Sequence, residues 1–268
     1  MTNAFSFAVE GLSAVVTGGS SGIGLETARL LLASGARVAI CGRNAERLES
    51  AQQTLAREGF AERLMAHRCN VLDAGEVADF VAAVQAKFGA ADILVNNAGQ
   101  GRVSTFADTT DEAWREELDL KFFSVVRPTR AFLPMLERSK AAAVVCVNSL
   151  LALQPEPHMV ATSAARAGVL NLTHSLAIEL APRRIRVNAI LIGLVESGQW
   201  RRRYAAQAAA GETWEEWTAA LAVKKGIPLG RLGRPEEAAR AIVYLASPLA
   251  SYTTGSHLDV SGGHCKNV

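Results

Sequence analysis

Apolar positions along this chain fall into two alternating rhythms. Short apolar runs read as buried strands at Leu12 to Val16, Arg37 to Cys41, Arg63 to Arg68, Ile93 to Val95, Ala143 to Val147, Ile185 to Ile190 and His257 to Val260. Between them, apolar residues recur at spacings of three and four, which predicts helices over Leu25 to Ala33, Ala45 to Arg57, Gly75 to Phe88, Glu112 to Arg138, Met159 to Leu180 and Pro235 to Ala246. Pro128 is expected to bend the fourth helix, and Pro235 suits the start of the last. The segment from Ser197 to Lys225 is less regular. Repeated strand–helix–strand units with continuously apolar strands predict an α/β fold: one doubly wound parallel sheet with helices on both faces and ligands at the strands' C-terminal ends. No repeat or composition break divides the chain, so a single domain over residues 1–268 is expected.

The first strand runs into Thr17-Gly18-Gly19-Ser20-Ser21-Gly22-Ile23-Gly24, and a helix follows. In such a turn Gly18 permits a tight reversal, Gly22 lets backbone approach a ligand, and Gly24 lets the helix pack on the strand. The first helical N–H groups are then aimed at an anion, most naturally a pyrophosphate. The commonest dinucleotide fingerprint separates its first two glycines by one residue, which is not the spacing here. A glycine turn with no phosphate duty therefore stands as the alternative.

Composition narrows the partners. With 268 residues, 49% apolar and 20% charged, the chain is an ordinary globular one with enough length for a large core. Its net charge of +2 offers no drive towards nucleic acid or acidic membrane surfaces, so a small-molecule substrate is expected. Cys41, Cys69, Cys146 and Cys265 are scattered, which suggests buried thiols in a reducing compartment and no metal site. Met1 to Glu10 has neither a basic stretch nor a cleavage site, and no apolar run spans a bilayer; a cytoplasmic location is expected.

Further segments stand in order beside the glycine turn: Asn96-Asn97-Ala98-Gly99, Val144 to Ser149, Ile185-Arg186-Val187-Asn188, Thr254-Gly255 and Val260-Ser261-Gly262-Gly263. Together they resemble the short-chain dehydrogenase/reductase family over essentially the whole length. The resemblance implies a Rossmann-type domain, a bound nicotinamide dinucleotide, an oxidoreductase acting on a carbonyl or alcohol, and a homodimer or homotetramer. It carries cofactor contacts onto Gly18, Ser20, Ser21, Gly22, Ile23 and Gly24, onto Asn70 and Val71 near the adenine, and onto Asn97, Ala98 and Gly99. Arg166 falls at the nicotinamide ribose, with Gly193, Val195 and Ser197 beside the nicotinamide. Asn70 replaces the family's usual aspartate, and Ser197 its usual threonine. Relatives that prefer NAD place an aspartate at the position of Gly42; here no carboxylate repels a 2′-phosphate, and Arg43 offers a guanidinium fork. NADP is expected in preference to NAD. The other reading of Arg43 is a cap on a solvated loop.

The chemistry departs from the family. Its active site comprises a serine, a tyrosine thirteen positions later, a lysine four beyond that, and an upstream asparagine. Ser149 matches the serine, but the other positions hold Thr162, Arg166 and Lys121; Trp114 supports the register of the last. A threonine hydroxyl is a far weaker acid than a phenol and ends roughly 4 Å short of it. Arg166 can hold ribose hydroxyls but does not titrate near neutrality. Losing a positioned acid costs about 10²–10⁴ in rate, roughly 3–5 kcal/mol. Three residues are candidates to replace it. Lys121 is either a migrated ammonium or half of an ion pair with Asp119 or Glu117. His158, one turn before Thr162, is either a titrating group or a solvated loop residue. Tyr204 either reaches inward or packs its ring. Residues 197–225 form the expected substrate lid. Trp200, Trp214, Trp217 and Arg201-Arg202-Arg203 there suggest an aromatic or anionic substrate, or else tryptophans packed on the body with solvated arginines. An oxidoreductase with an altered proton relay is the leading reading. A catalytically weak cofactor-binding partner protein is the alternative, and a non-redox lyase on the same scaffold the third.

Overall fold

In the computed structural model, which describes residues 6–266, one seven-stranded parallel sheet has the order β3-β2-β1-β4-β5-β6-β7. The strands are β1 (Ser13–Thr17), β2 (Arg37–Gly42), β3 (Leu64–Arg68), β4 (Ile93–Asn96), β5 (Ala143–Ser149), β6 (Arg186–Ile192) and β7 (His257–Val260). The helices are α1 (Gly22–Ala33), α2 (Ala45–Leu55), α3 (Ala74–Phe88), α4 (Asp111–Leu136), α5 (Val160–Leu180), α6 (Gly198–Gln207), α7 (Trp214–Lys225) and α8 (Pro235–Ala246). The extreme ends of the 1–268 domain assignment, and the first half of the Met1–Glu10 reading, lie outside the described residues. Among the described residues no helix is long and apolar enough to cross a membrane.

Both faces of the sheet are covered, which is why its strands read as unbroken apolar runs. Successive side chains point to opposite faces. Ala14 and Val16 join Leu31, Leu32, Ile242 and Val243 in the core beneath α1 and α8. Val15 joins Phe80, Val125, Phe132 and Val169 in the core beneath α3, α4 and α5. Phe80 and Phe132 meet edge to face at 5.7 Å in that second core. Strand order reverses between β1 and β4, whose C-terminal ends open the crevice where doubly wound sheets bind ligands.

Two expectations are corrected. The segment 197–225, read as less regular, holds two helices, α6 and α7. Ser197 caps α6 by accepting from the Trp200 N–H, and Thr213 with Glu216 forms a capping box on α7. The Thr213-x-x-Glu216 spacing is the signal that could have found α7. The second helix stops at Leu55 and passes into a π turn over 56–60, where Gly59 adopts φ 92°.

Candidate active site

A cavity of about 660 Å³ lies at the strand ends, and the glycine turn forms one wall of it. Gly18 has φ +66°, and a Cβ there would lie 2.9 Å from the Ala98 Cα. Gly22 has φ +53° with nothing within 4 Å of its missing Cβ, so its backbone faces open space. Ser21 stands at the N-cap of α1 in extended conformation, yet its side chain makes no capping bond and the first turn has no acid. Asn44, Asp73, Thr110, Ser197 and Thr213 do cap α2, α3, α4, α6 and α7. Like α5 and α8, α1 has no N-cap side-chain bond, and Ser21, Gly22 and Ile23 at its start line the cavity, where the free donors suit an anion.

Of the sequence-derived cofactor residues, Gly18, Ser20, Ser21, Gly22, Ile23, Arg43, Asn70, Val71, Asn97, Ala98, Gly99, Arg166, Gly193, Val195 and Ser197 all line this cavity. Gly24 does not. A Cβ on it would stand 2.4 Å from both the Asn97 Nδ2 and the Gly18 carbonyl oxygen, so its duty is packing against the turn and the Asn97 amide rather than ligand contact. The Asn97 side chain is likewise committed: its Nδ2 donates to the Thr17 and Gly18 carbonyls at 3.0 and 3.1 Å. The Asn70 side chain accepts from the Leu72 N–H, holding the adenine-side turn. Arg47 also lines the cavity. It sits in the first turn of α2, capped by Asn44, and the sequence reading passed it over.

At the other end Ser149, His158, Thr162 and Arg166 border the cavity. The Ser149 hydroxyl accepts from the Leu151 N–H at 3.3 Å and lies 3.5 Å from the Ile192 carbonyl. Arg166 donates from Nη1 to the Val147 carbonyl at 2.9 Å, while its buried Nε has no partner among the described residues. Burial pulls its pKa down to about 10, against the opposing pull of Glu117.

Behind Thr162 lies a buried charged cluster built by α4 against α5. The Lys121 Nζ donates to Glu117 Oε1 at 2.6 Å and to the Gln100 carbonyl at 2.7 Å. The Thr162 hydroxyl donates to the same Glu117 oxygen. Glu117 and Lys121 are each 2% exposed. Burial, then the nearby Arg166 charge, push the Lys121 pKa down to about 8, with Glu117 opposing. Neither Glu117 nor Lys121 borders the cavity; Thr162 is the member that does. Of the two readings of Lys121, the structure shows the ion pair, with the Arg166 charge nearby, and its link to the cavity runs through Glu117 and Thr162. Its partner is Glu117, not Asp119. Sequence reasoning named Glu117 only as a pairing option, since nothing local shows that Thr162, 45 residues away, completes the cluster.

The other two candidates lie outside this buried cluster. The His158 side chain is 52% exposed, with Nε2 3.0 Å from Glu156, which also accepts from Lys225 at 3.1 Å. Tyr204 donates to the Glu212 carbonyl at 2.6 Å and sets its ring against Trp214 and Trp217 at 5.5 and 5.9 Å. Tyr204 thus packs its ring between α6 and α7, which is the packing alternative. Trp214 and Trp217 stack in the same lid core, leaving Trp200 as the lid tryptophan that borders the cavity. The arginine run divides: Arg201 lies over Trp214 at 3.7 Å and Arg203 over Trp200 at 4.7 Å, while Arg202 and Arg203 border the cavity.

These residues fit a dinucleotide. The α1 N-terminus would take its pyrophosphate, Arg43 and Arg47 a 2′-phosphate, and Arg166, which borders the other end of the cavity, would lie beside the nicotinamide ribose.

Comparison with known proteins agrees. A family model described as enoyl-(acyl carrier protein) reductase matches residues 18–264. The chain is 33% identical over 256 residues to the 3-oxoacyl-(acyl-carrier-protein) reductase FabG of Chlamydia muridarum, covering 94% of this chain and 96% of that one. An NADPH-bound short chain oxidoreductase from Pseudomonas aeruginosa PAO1, described as containing an atypical catalytic center, shares 65% identity with a TM-score of 0.91, covering 96% and 98% of the two chains. L-sorbose reductase from Gluconobacter frateurii, complexed with NADPH and L-sorbose, shares 32% identity with a TM-score of 0.92, covering 98% and 100%.

Proposed function

Because this chain belongs to the short-chain dehydrogenase/reductase family, we propose that it is an NADPH-dependent oxidoreductase that reduces a small carbonyl compound through a rebuilt proton relay. The observation that carries this reading is the continuous chain from Lys121 through Glu117 to Thr162, ending on the cavity at the family's tyrosine position. When bound, the nicotinamide supplies the hydride. Ser149 holds the carbonyl oxygen, and Arg166 holds the ribose with its guanidinium. The Thr162 hydroxyl gives its proton to the developing alkoxide and is refilled through Glu117 from the Lys121 ammonium, which ends as the neutral amine. A pKa of about 8 suits that task, because a general acid works best near the operating pH. A substrate oxygen must come nearer α5 than it would for a phenol, since the threonine is shorter.

The relay sets a pH dependence. Reduction needs charged Lys121, so its rate should hold below pH about 8 and fall up to tenfold per unit above it. Glu117 on α4 and Arg166 on α5 are the charges that face the lysine and set that midpoint. Lys121→Met should abolish both the turnover and its alkaline limb, while His158→Ala should keep them. The reverse pattern in steady-state rates hands the proton to His158. NADPH binding without turnover of any carbonyl would leave the catalytically weak cofactor-binding alternative.

Arg43 and Arg47 support NADP over NAD, because bidentate guanidinium–phosphate contacts have no counterpart on a 2′-hydroxyl. Arg43→Ala should lower the ratio of NADPH to NADH affinity by about tenfold or more, read by fluorescence titration. An unchanged ratio overturns the preference. A homodimer or homotetramer would cover Tyr244, Leu249, Tyr252 and Leu258, which are exposed on and around α8 and β7; a monomer by light scattering removes that reading.

A further inference from the structure

Among the described residues, the cationic side chains that line the cavity are Arg43, Arg47, Arg166, Arg202, Arg203 and Lys225. All but Arg202 have a partner or a duty. Arg43 and Arg47 stand where β2 passes into α2, at the end assigned above to the 2′-phosphate. Arg166 donates to the Val147 carbonyl and feels the Glu117 carboxylate. Lys225 donates to both Glu156 oxygens, at 3.3 and 3.1 Å. Arg203 lies over the Trp200 ring at 4.7 Å. Arg202 is exposed and, among the described residues, has no hydrogen bond and no ion pair, although its neighbour Arg201 pairs with Glu196 at 3.5 Å.

The place of Arg202 says which anion it suits. α1 and α6 begin side by side, because Gly22 and Ser197 line one shallow groove together with Glu196 and Arg201. Gly198 opens α6, and Arg202 follows it by one helical turn. Helical side chains lean back towards the N-terminus, and the Arg202 Nη1 lies 3.5 Å from the position of a Gly198 Cβ. The guanidinium is thus at the start of α6, beside the start of α1, and both Gly198 and Arg202 border the cavity. The glycine turn offers a pyrophosphate backbone N–H groups and serine hydroxyls, yet residues 18–24 contain no cation to meet its charge. A guanidinium fork supplies that charge and pairs with two oxygens at once.

We propose that Arg202 is a cofactor-binding residue carried by the lid: its guanidinium bonds the pyrophosphate oxygens, so that the dinucleotide itself holds α6 at the cavity. This rests on the dinucleotide part of the reading above and not on its proton relay.

The test compares the parent with Arg202→Met and Arg202→Lys. NADPH affinity is read by fluorescence. The affinity of 2′-phospho-ADP-ribose, which keeps the pyrophosphate but lacks the nicotinamide, is read by calorimetry. Arg202→Met should weaken both ligands by about tenfold or more, and Arg202→Lys should restore part of that loss, since it returns the charge without the fork. The unfolding temperature of the ligand-free protein should not move, because the side chain has no bond to lose. Levulinate and 2-pentanone, which differ by a carboxylate against a methyl, test the other source of an anion. At saturating NADPH the ratio of their kcat/KM values should be the same in parent and variant. Affinities for both nucleotides within about twofold of the parent, or a loss for NADPH alone, overturn the proposal. If Arg202→Met instead lowers the turnover of levulinate alone, the guanidinium serves a substrate anion and the proposal falls. Where no ketone turns over, the reduction reading falls while the two nucleotide affinities still decide the role of Arg202. A parent that binds neither nucleotide overturns it.

Discussion

Glu117→Gln is expected to cost about 3–5 kcal/mol of stability and to lower carbonyl reduction by about 10²–10⁴. Both effects have one cause. Glu117 is, among the described residues, the one carboxylate bonded to the Lys121 ammonium, the pair is almost wholly inaccessible to water, and Arg166 adds a second positive charge nearby. An amide keeps the shape and can still accept from Lys121, but it cannot balance the charge or pass a proton on from the lysine. Lys121 then loses the group that holds its pKa up, falls below about 8 and becomes neutral near physiological pH. The sign of the stability effect follows. A lysine whose folded pKa lies below its unfolded value burdens the fold while charged, and stability rises with pH through the window between the two values. For the unaltered protein that window runs from about 8 to the ordinary 10.5; in Glu117→Gln it opens lower. The variant's deficit in urea unfolding should therefore be greatest in acid and shrink towards alkaline pH. Adding Lys121→Met should recover much of the stability without recovering turnover, because a neutral pair carries no desolvated charge. A single variant within about 1 kcal/mol of the parent, and within a few-fold of its rate, would remove the relay.

Gly24→Ala is expected to weaken NADPH binding by about 100-fold, close to 3 kcal/mol, and to destabilise the fold by about 1–3 kcal/mol. The new methyl would lie 2.4 Å from both the Asn97 Nδ2 and the Gly18 carbonyl. Those atoms belong to the clamp in which Asn97 ties β1 and the turn to the chain beyond β4. Relieving the overlap must move either the α1 N-terminus or the clamp, and both shape the phosphate cradle. Gly22→Ala is the informative contrast. Its Cβ meets no protein atom, so its loss comes from the left-handed backbone at φ +53° and from the ligand itself. Fluorescence titration with NADPH and thermal unfolding of both variants read the difference. Parental affinity and parental unfolding in Gly24→Ala would refute this account of the turn.

The glycine turn, the seven strands and six of the eight helices were legible because strand and helix periods and turn chemistry are local properties of the chain. Ser149, Thr162 and Arg166 were picked out by their spacing, and the structure brings all three to one cavity. α6 and α7 were missed although Ser197, Thr213 and Glu216 carry ordinary capping chemistry, because the four aromatics of this lid pack on one another and blur its period. Tyr204 could not be assigned from sequence for the same reason: its hydroxyl is used by Glu212 inside the lid.

By itself the sequence determined where the seven strands and six of the eight helices form, because those periods are local. Only the tertiary structure decided which distant side chains meet. Glu117 and Lys121 on α4 meet Thr162 and Arg166 on α5 because the two helices pack side by side over the sheet. Arg202 meets the cavity because α6 begins beside the start of α1. Such meetings join residues many positions apart, and the distance between their side chains is set by packing rather than by any period within one segment.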